Sequence, residues 1–144
     1  MSKPNLLFIL IDDLGYKDLS SYGSTFYETP NIDSLARDGM RFPDAYASCP
    51  VCSPTRASIL TGRYPARVGV TNFIDWIGRG HPTAGKVVDV PYFKELPRTE
   101  TTLARVLGDA GYDTWHVGKW HLGGPASYPE KHGFHANIGG CEWG

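Results

Sequence analysis

The chain has 144 residues and a formal net charge of −1, so it is long enough for one domain with a buried core. This near-neutral charge gives no reason to expect nucleic acid or membrane insertion, and neither is predicted as a partner. Three cysteines cannot form a disulfide framework without one left over, and 17 glycines with 11 prolines predict many turns.

The first predicted element is a strand over residues 6–11, which is apolar on both faces like a central parallel strand. Six residues are too few to cross a membrane. Residues 1–5 lead directly into this run without a small-residue cleavage site, so we interpret it as a buried strand and not as a secretory signal. A signal removed from a longer precursor would leave no trace, so the compartment stays open; a periplasmic or extracellular parent protein is compatible with the sequence.

A helix is predicted next, with Thr29 as its cap, Pro30 at its first position and Gly39 at its end. The apolar face of this helix consists of Ile32, Leu35 and Ala36. Residues 41–47 form a candidate second strand, which leads to another helix. That helix is predicted to have Ser53 as N-cap, Pro54 at the first helical position and Gly62 as its stop.

Residues 63–98 show no convincing periodicity, apart from a candidate short strand over 87–90, and we interpret them as a functional insertion. A helix follows, capped by Thr99 or Thr101 and stopped by Gly111, and then a strand over 112–117. The predicted core face of this helix consists of Leu103, Val106, Leu107 and Ala110.

This order of elements predicts an α/β fold with a doubly wound, mostly parallel sheet flanked by helices. No closing helix or strand is predicted in residues 132–144. We therefore expect residues 1–144 to be the N-terminal part of one catalytic domain in a larger protein, called the parent protein below.

Three groups of polar residues are predicted to meet at one edge of this sheet. Asp12 and Asp13 follow the first strand, where adjacent carboxylates repel each other unless a hard divalent cation such as Ca²⁺ or Mg²⁺ holds them. From this pair alone a solvated turn remains the alternative. Lys119 and His121 follow the last strand and alternate around Trp120, so both would face one crevice if the segment is extended, and both suit an anionic group.

Cys52 is the third group, and its position at the start of a helix, one turn from Arg56, favours a readily ionised thiol. Cys49 and Cys52 also form a Cys-x-x-Cys motif, which permits a thiol redox site or half of a zinc site. Further zinc ligands would be Cys141 with His132 or His135. A thiol redox site would give Arg56 no role. Cys49 is interpreted as a core residue.

The run Cys52-Ser53-Pro54-Thr55-Arg56, continued by Leu60-Thr61-Gly62-Arg63, resembles the signature of the formylglycine-dependent sulfatase family. Residues 111–121, which end in Gly-Lys-Trp-His, resemble a second signature of that family, and Asp12-Asp13 match its N-terminal metal pair. The resemblance covers residues 4 to about 123. It implies the N-terminal portion of an alkaline phosphatase-like fold.

The resemblance also implies a role for each matched residue. Asp12, Asp13 and the modified Cys52 would bind Ca²⁺ or Mg²⁺, after a formylglycine-generating maturation enzyme has converted Cys52 to formylglycine. Arg56 would hold the formylglycine hydrate, which is the nucleophile in this family. Lys119 would bind a sulfate oxygen, and His121 would contact the hydrate and move its proton.

The implied activity is hydrolysis of a sulfate monoester on a small molecule or glycan, with a carbohydrate sulfate favoured over an aryl sulfate. The family's other metal ligands, and a further histidine and lysine, have no match here, so residues 1–144 alone are expected to be inactive. Three alternatives remain: a phosphonate or phosphate ester hydrolase of the same superfamily, a non-catalytic fragment, or the thiol or zinc protein.

Overall fold

The computed structural model describes residues 3–76, 84–88 and 90–143, and the chain divides into two compact units, Met1–Tyr46 and Ala47–Gly144. The helices found in these residues are α1 (Pro30–Asp38), α2 (Cys52–Thr61), α3 (Pro65–Val68) and α4 (Leu103–Asp109). Short 3-10 helices lie at Ser20–Tyr22, Pro125–Ser127 and Pro129–His132. The strands are β1 (Trp115–Val117) and β2 (Ala136–Ile138), which pair in parallel.

Helix α1, in the first unit, is confirmed with the predicted start at Pro30 and end before Gly39. Thr29 precedes it as predicted, but its hydroxyl donates to Asp33 Oδ1 (3.0 Å) and accepts from the main-chain N–H of Ser20 (3.0 Å). Thr29 therefore joins the helix start to the preceding 3-10 helix and does not cap a helical N–H group. The predicted core face of α1 is not buried, because Leu35 is 67% exposed.

The predicted strand over residues 6–11 is wrong for this structure, because none of these residues is in a strand. All six side chains are exposed. A strand exists through hydrogen bonds to a neighbour, and no described segment pairs with this one. The candidate strand over residues 41–47 is absent for the same reason.

The core of the second unit packs between α2, α3 and the loop after β1. It consists of Ala57, Val68, Val70, Ile74, Leu96, Trp120 and Leu122. Four of these seven residues lie in 63–98, so this stretch, which was interpreted as a functional insertion, also supplies a large part of the core. Its apolar residues are too widely spaced to give a helical or strand period, because they enter the core from α3 and from irregular chain. The candidate strand over 87–90 falls partly outside the described residues, and its described residues are not in a strand.

Helix α2 begins two residues earlier than predicted, at Cys52, and Val51 occupies the N-cap position. Ser53 is therefore inside the helix and is fully buried. The predicted stop is confirmed, because Gly62 has a left-handed backbone (φ 67°) and its N–H donates to the carbonyl of Ser58.

Helix α4 is capped by Thr102, the residue next to the predicted cap, and Thr102 Oγ1 accepts from the N–H of Arg105. The buried residue of α4 is Ala104, whereas Leu103 and Val106 of the predicted face are about half exposed. The prediction of which face of α4 is buried was therefore wrong. Thr102 Oγ1 also donates to the carbonyl of His132, which joins α4 to the 3-10 helix that precedes β2.

The buried His132 is expected to make the fold acid-sensitive. Its Nε2 lies 2.8 Å from Ser127 Oγ, and burial, aided by Arg105 and Arg98, lowers its pKa to about 4. An unfolded histidine titrates near 6.5, so the unfolded state takes up a proton first as the pH falls. The free energy of unfolding should have its full value above about pH 6.5. It should decrease by up to about 3 kcal/mol as the pH falls to about 4. Urea unfolding at several pH values should show this loss in the wild type and in His135→Gln, and a clearly smaller loss in His132→Gln, where the lowered pKa of His116 still acts; an equal loss in His132→Gln would contradict the assignment.

The predicted strand over 112–117 is confirmed only in its last three residues, which form β1. Trp115 lies opposite Ala136 and Val117 opposite Ile138. The expectation that residues 132–144 contain no closing strand is wrong, because β2 lies there. Among the described residues no helix is both long and apolar enough to cross a bilayer.

Candidate active site

Helix α2 carries Cys52 at its first position and Arg56 one turn later. Cys52 is the first residue of the helix and is half-buried. The N–H groups of a helix's first turn have no partner within the helix and favour negative charge. The Arg56 guanidinium reaches across to the loop after β1, where Nη1 donates to the carbonyl of Lys119 (2.6 Å). The structure thus joins the cysteine motif to the Lys-Trp-His motif.

The loop after β1 does not meet the condition, an extended segment, under which Lys119 and His121 were expected to face one crevice. His121 has a left-handed backbone (φ 56°), which is unusual for a residue other than glycine. Trp120 is buried and its Nε1 donates to the carbonyl of Ser127 (2.7 Å). Lys119 is half-buried and His121 is buried at 6% exposure. The two side chains are therefore placed by irregular chain on either side of the anchored Trp120, and not by the alternation of a strand.

A main-chain group that the sequence did not reveal connects His121 to α2. The carbonyl of Ile74 lies 2.6 Å from His121 Nε2, and the N–H of Ile74 donates to Ser53 Oγ (3.0 Å). Ser53 was predicted as a helix cap, but its hydroxyl accepts this bond within the buried core. Main-chain contacts have no residue-type signal, so only the buried serine in the motif could have indicated this link.

His116 is a second residue that the sequence analysis missed. It lies on β1, with its ring 5.2 Å from that of Trp120 and 5.3 Å from that of Phe134. Burial lowers the pKa of His116, and the nearby positive charge of Arg56 acts in the same direction. His116 therefore favours the neutral form beside the arginine, and contributes packing to the site rather than charge.

Asp12 and Asp13 lie in the first unit and are both exposed. Asp13 has a positive φ of 56°, a conformation that aspartate tolerates better than most residues. Two adjacent exposed carboxylates provide the hard oxygen donors that Ca²⁺ and Mg²⁺ prefer, so this donor set fits part of such a site. No group of three or more histidine, cysteine or acidic residues within the described ranges could hold a metal by itself. A meeting of this pair with Cys52 at one sheet edge stays a prediction.

The residues of the Cys-x-x-Cys alternatives lie in the second unit, and two of them, His132 and His135, have other partners. Cys49, Cys52 and Cys141 are free thiols. The Nε2 of His132, a candidate zinc ligand, is directed at Ser127 Oγ. The other candidate, His135, has its Nδ1 3.5 Å from a carboxylate oxygen of Asp113.

Comparison with known proteins places the chain in one family. The family model described as Sulfatase matches residues 4–143. The chain is 46% identical over 142 residues to arylsulfatase A of Bos taurus and 43% identical over 148 residues to N-acetylgalactosamine-6-sulfatase of Sus scrofa. These alignments cover 96% and 98% of this chain but only 25% and 26% of the relatives.

Solved structures agree with this result. The crystal structure of Ps i-CgsB matches with a TM-score of 0.77 at 38% identity, over 96% of this chain and 29% of that one. A 6S-sulfatase structure, described with glycosaminoglycan metabolism by Bacteroides thetaiotaomicron, matches with a TM-score of 0.75 at 36% identity, over 94% and 28%. The α/β, alkaline phosphatase-like fold class is confirmed. The chain belongs to the sulfatase family, and it spans about a quarter of the length of the relatives it matches.

Proposed function

We propose that residues 1–144 are the N-terminal part of a sulfatase catalytic domain, and that the parent protein hydrolyses a sulfate monoester. The observation that carries this proposal is the hydrogen bond from Arg56 to the carbonyl of Lys119. It joins the helix that begins at Cys52 to the loop that carries Lys119 and His121. The proposed nucleophile position, a cationic side chain and a proton-carrying side chain therefore belong to one packed unit. The net reaction consumes one water and releases an alcohol and sulfate.

The residues of this chain have separable tasks in that reaction. Arg56, held against the Lys119 carbonyl, stabilises negative charge at position 52. Lys119 binds a sulfate oxygen, where its charge offsets the charge that develops as the ester S–O bond breaks. His121, buried and held by main-chain contacts, accepts and returns the proton of the nucleophile.

Two groups that the sulfatase family implies complete this chemistry. Formylglycine from Cys52, which is half-buried at the start of α2, would supply an aldehyde hydrate as the nucleophile. Asp12 and Asp13 would hold Ca²⁺ or Mg²⁺, with Cys52 in its modified form as a further ligand. When bound, such a cation polarises sulfate oxygens and favours an ionised nucleophile.

A carbohydrate sulfate is the substrate class that we propose. One relative is named N-acetylgalactosamine-6-sulfatase, and a second structure of Ps i-CgsB contains k-i-k-neocarrahexaose, with a TM-score of 0.69 to this chain. Both names refer to sugars. Arylsulfatase A is the relative that supports the alternative, an aryl sulfate.

The test is an assay of the parent protein, co-expressed with a formylglycine-generating enzyme, against a sulfated sugar and matched aryl sulfate and aryl phosphate esters. We expect release of sulfate at a kcat/KM at least about 100-fold above that for phosphate, because a phosphate ester carries more negative charge than a sulfate ester, and a site that binds one transition state discriminates against the other. Equal or faster release of phosphate would favour the phosphate or phosphonate ester hydrolase. Release of neither would favour the non-catalytic alternative.

A further inference from the structure

The peptide group of Ile74 contacts both the first turn of α2 and His121. Its N–H donates to Ser53 Oγ (3.0 Å), and its carbonyl lies 2.6 Å from His121 Nε2. Ser53 is 0%, Ile74 2% and His121 6% exposed. Because both contacts are buried, water competes for them little, and a lost partner would leave a polar group unsatisfied.

The contact with Ile74 determines which ring nitrogen of His121 carries the proton. A main-chain carbonyl can only accept a hydrogen bond, so Nε2 must be the donor. In a neutral imidazole the other nitrogen, Nδ1, then has the free electron pair and is the basic one.

Further contacts hold the whole residue in place. The N–H of His121 donates to the carbonyl of Cys141 (3.1 Å), and the Phe73 ring lies edge-on to the imidazole with 6.3 Å between centroids. The backbone of His121 has a positive φ, a conformation that persists only when the surroundings impose it. The ring therefore has little freedom to turn and exchange the roles of its two nitrogens.

We propose that the Ile74 carbonyl, anchored by Ser53, is the positioning group that fixes the proton of His121 on Nε2, so that Nδ1 is the nitrogen that exchanges a proton in the reaction. Ser53 then acts through Ile74 on His121 as a positioning residue. The inference rests on the proposed sulfatase function for its catalytic part, whereas the protonation of Nε2 is a property of the fold.

The direct test is ¹⁵N nuclear magnetic resonance of the parent protein labelled in its histidines, with His121 assigned by comparison with His121→Gln. We expect a protonated Nε2 and an unprotonated Nδ1 at neutral pH. A protonated Nδ1 in wild-type protein that hydrolyses sulfate esters normally would overturn the inference while leaving the proposed function intact. Absence of any hydrolysis by the wild type would contradict the proposed function instead.

The second test is Ser53→Ala, compared with Thr61→Ala, which removes a hydroxyl bonded to the carbonyl of Ala57 (2.7 Å) at the other end of α2. Each rate is divided by the fraction of Cys52 that has been converted to formylglycine, which mass spectrometry measures. A difference in maturation between variants then does not affect the comparison of their rates. We expect kcat of Ser53→Ala to fall roughly 10-fold with KM nearly unchanged, because the base is mispositioned rather than removed. The His121 spectrum should change in the same variant, whereas Thr61→Ala should show neither effect. Unchanged kcat and spectrum in Ser53→Ala would overturn the role of Ser53.

Discussion

Replacement of Cys52 by alanine in the parent protein, made with a maturation enzyme, is expected to abolish sulfate ester hydrolysis. The side chain at position 52 is the only proposed source of the nucleophile, and loss of a nucleophile lowers kcat by at least about 10⁴-fold. In the wild type, mass spectrometry of the peptide containing Cys52 should show an aldehyde in place of the thiol. An active enzyme with an unmodified Cys52 would contradict the formylglycine assignment.

Cys49→Ala is the matched control, since it makes the same chemical change three residues earlier. The structural role of Cys49 that we observe uses its main-chain carbonyl, which accepts from Thr55 Oγ1 (2.7 Å) and is unchanged by the substitution. We expect this variant to keep activity within about 3-fold of the wild type. Equal loss of activity in both variants would instead favour a thiol pair at Cys49 and Cys52.

Helices α1, α2 and α4 could be predicted because their signals are local, whereas α3, with only four residues, was not predicted. Pro30 and Gly39 bound α1 as expected, and Gly62 ends α2 in the left-handed conformation that glycine favours. The start of α2 was misplaced because Ser53 looks like a helix cap, whereas its hydroxyl bonds to Ile74, which is 21 residues away. Such a distant competing partner cannot be read from local sequence.

The strands were predicted less well, because a strand depends on a partner elsewhere in the chain. The apolar run of residues 6–11 has the composition of a buried strand, yet it has no paired neighbour among the described residues. Conversely, β2 has only three residues and is followed by two glycines, so no period of two can be seen. Its pairing with β1, which is 21 residues away, makes it a strand.

The side chains of the candidate site could be proposed from the sequence, but the groups that hold them could not. Cys52, Arg56, Lys119 and His121 were proposed through the types and spacing of residues in two motifs, and their roles stay predictions. The carbonyls that orient two of them belong to Lys119, Ile74 and Cys141. Every residue has a carbonyl, so a role that depends on main-chain geometry leaves no mark in the sequence.

Asp13→Asn in the parent protein is expected to lower bound metal and activity together. The substitution keeps the size of the side chain and removes one negative charge. Asparagine tolerates positive φ as well as aspartate does, so the turn at Asp13 (φ 56°) should persist. The change therefore isolates the loss of a charged oxygen ligand, which weakens binding of a hard divalent cation.

Metal content after dialysis, measured by mass spectrometry, should fall below half of the wild-type value in Asp13→Asn, and kcat should fall roughly 100-fold. Excess Ca²⁺ should restore part of the activity, since a weakened site fills at a higher cation concentration. Asp44→Asn is the matched control, because Asp44 is also an exposed aspartate in the first unit, and it should change neither quantity. Normal metal content with full activity in Asp13→Asn would show that Asp13 is not a ligand, whereas normal metal content with low activity would assign it a role in the reaction other than holding the cation.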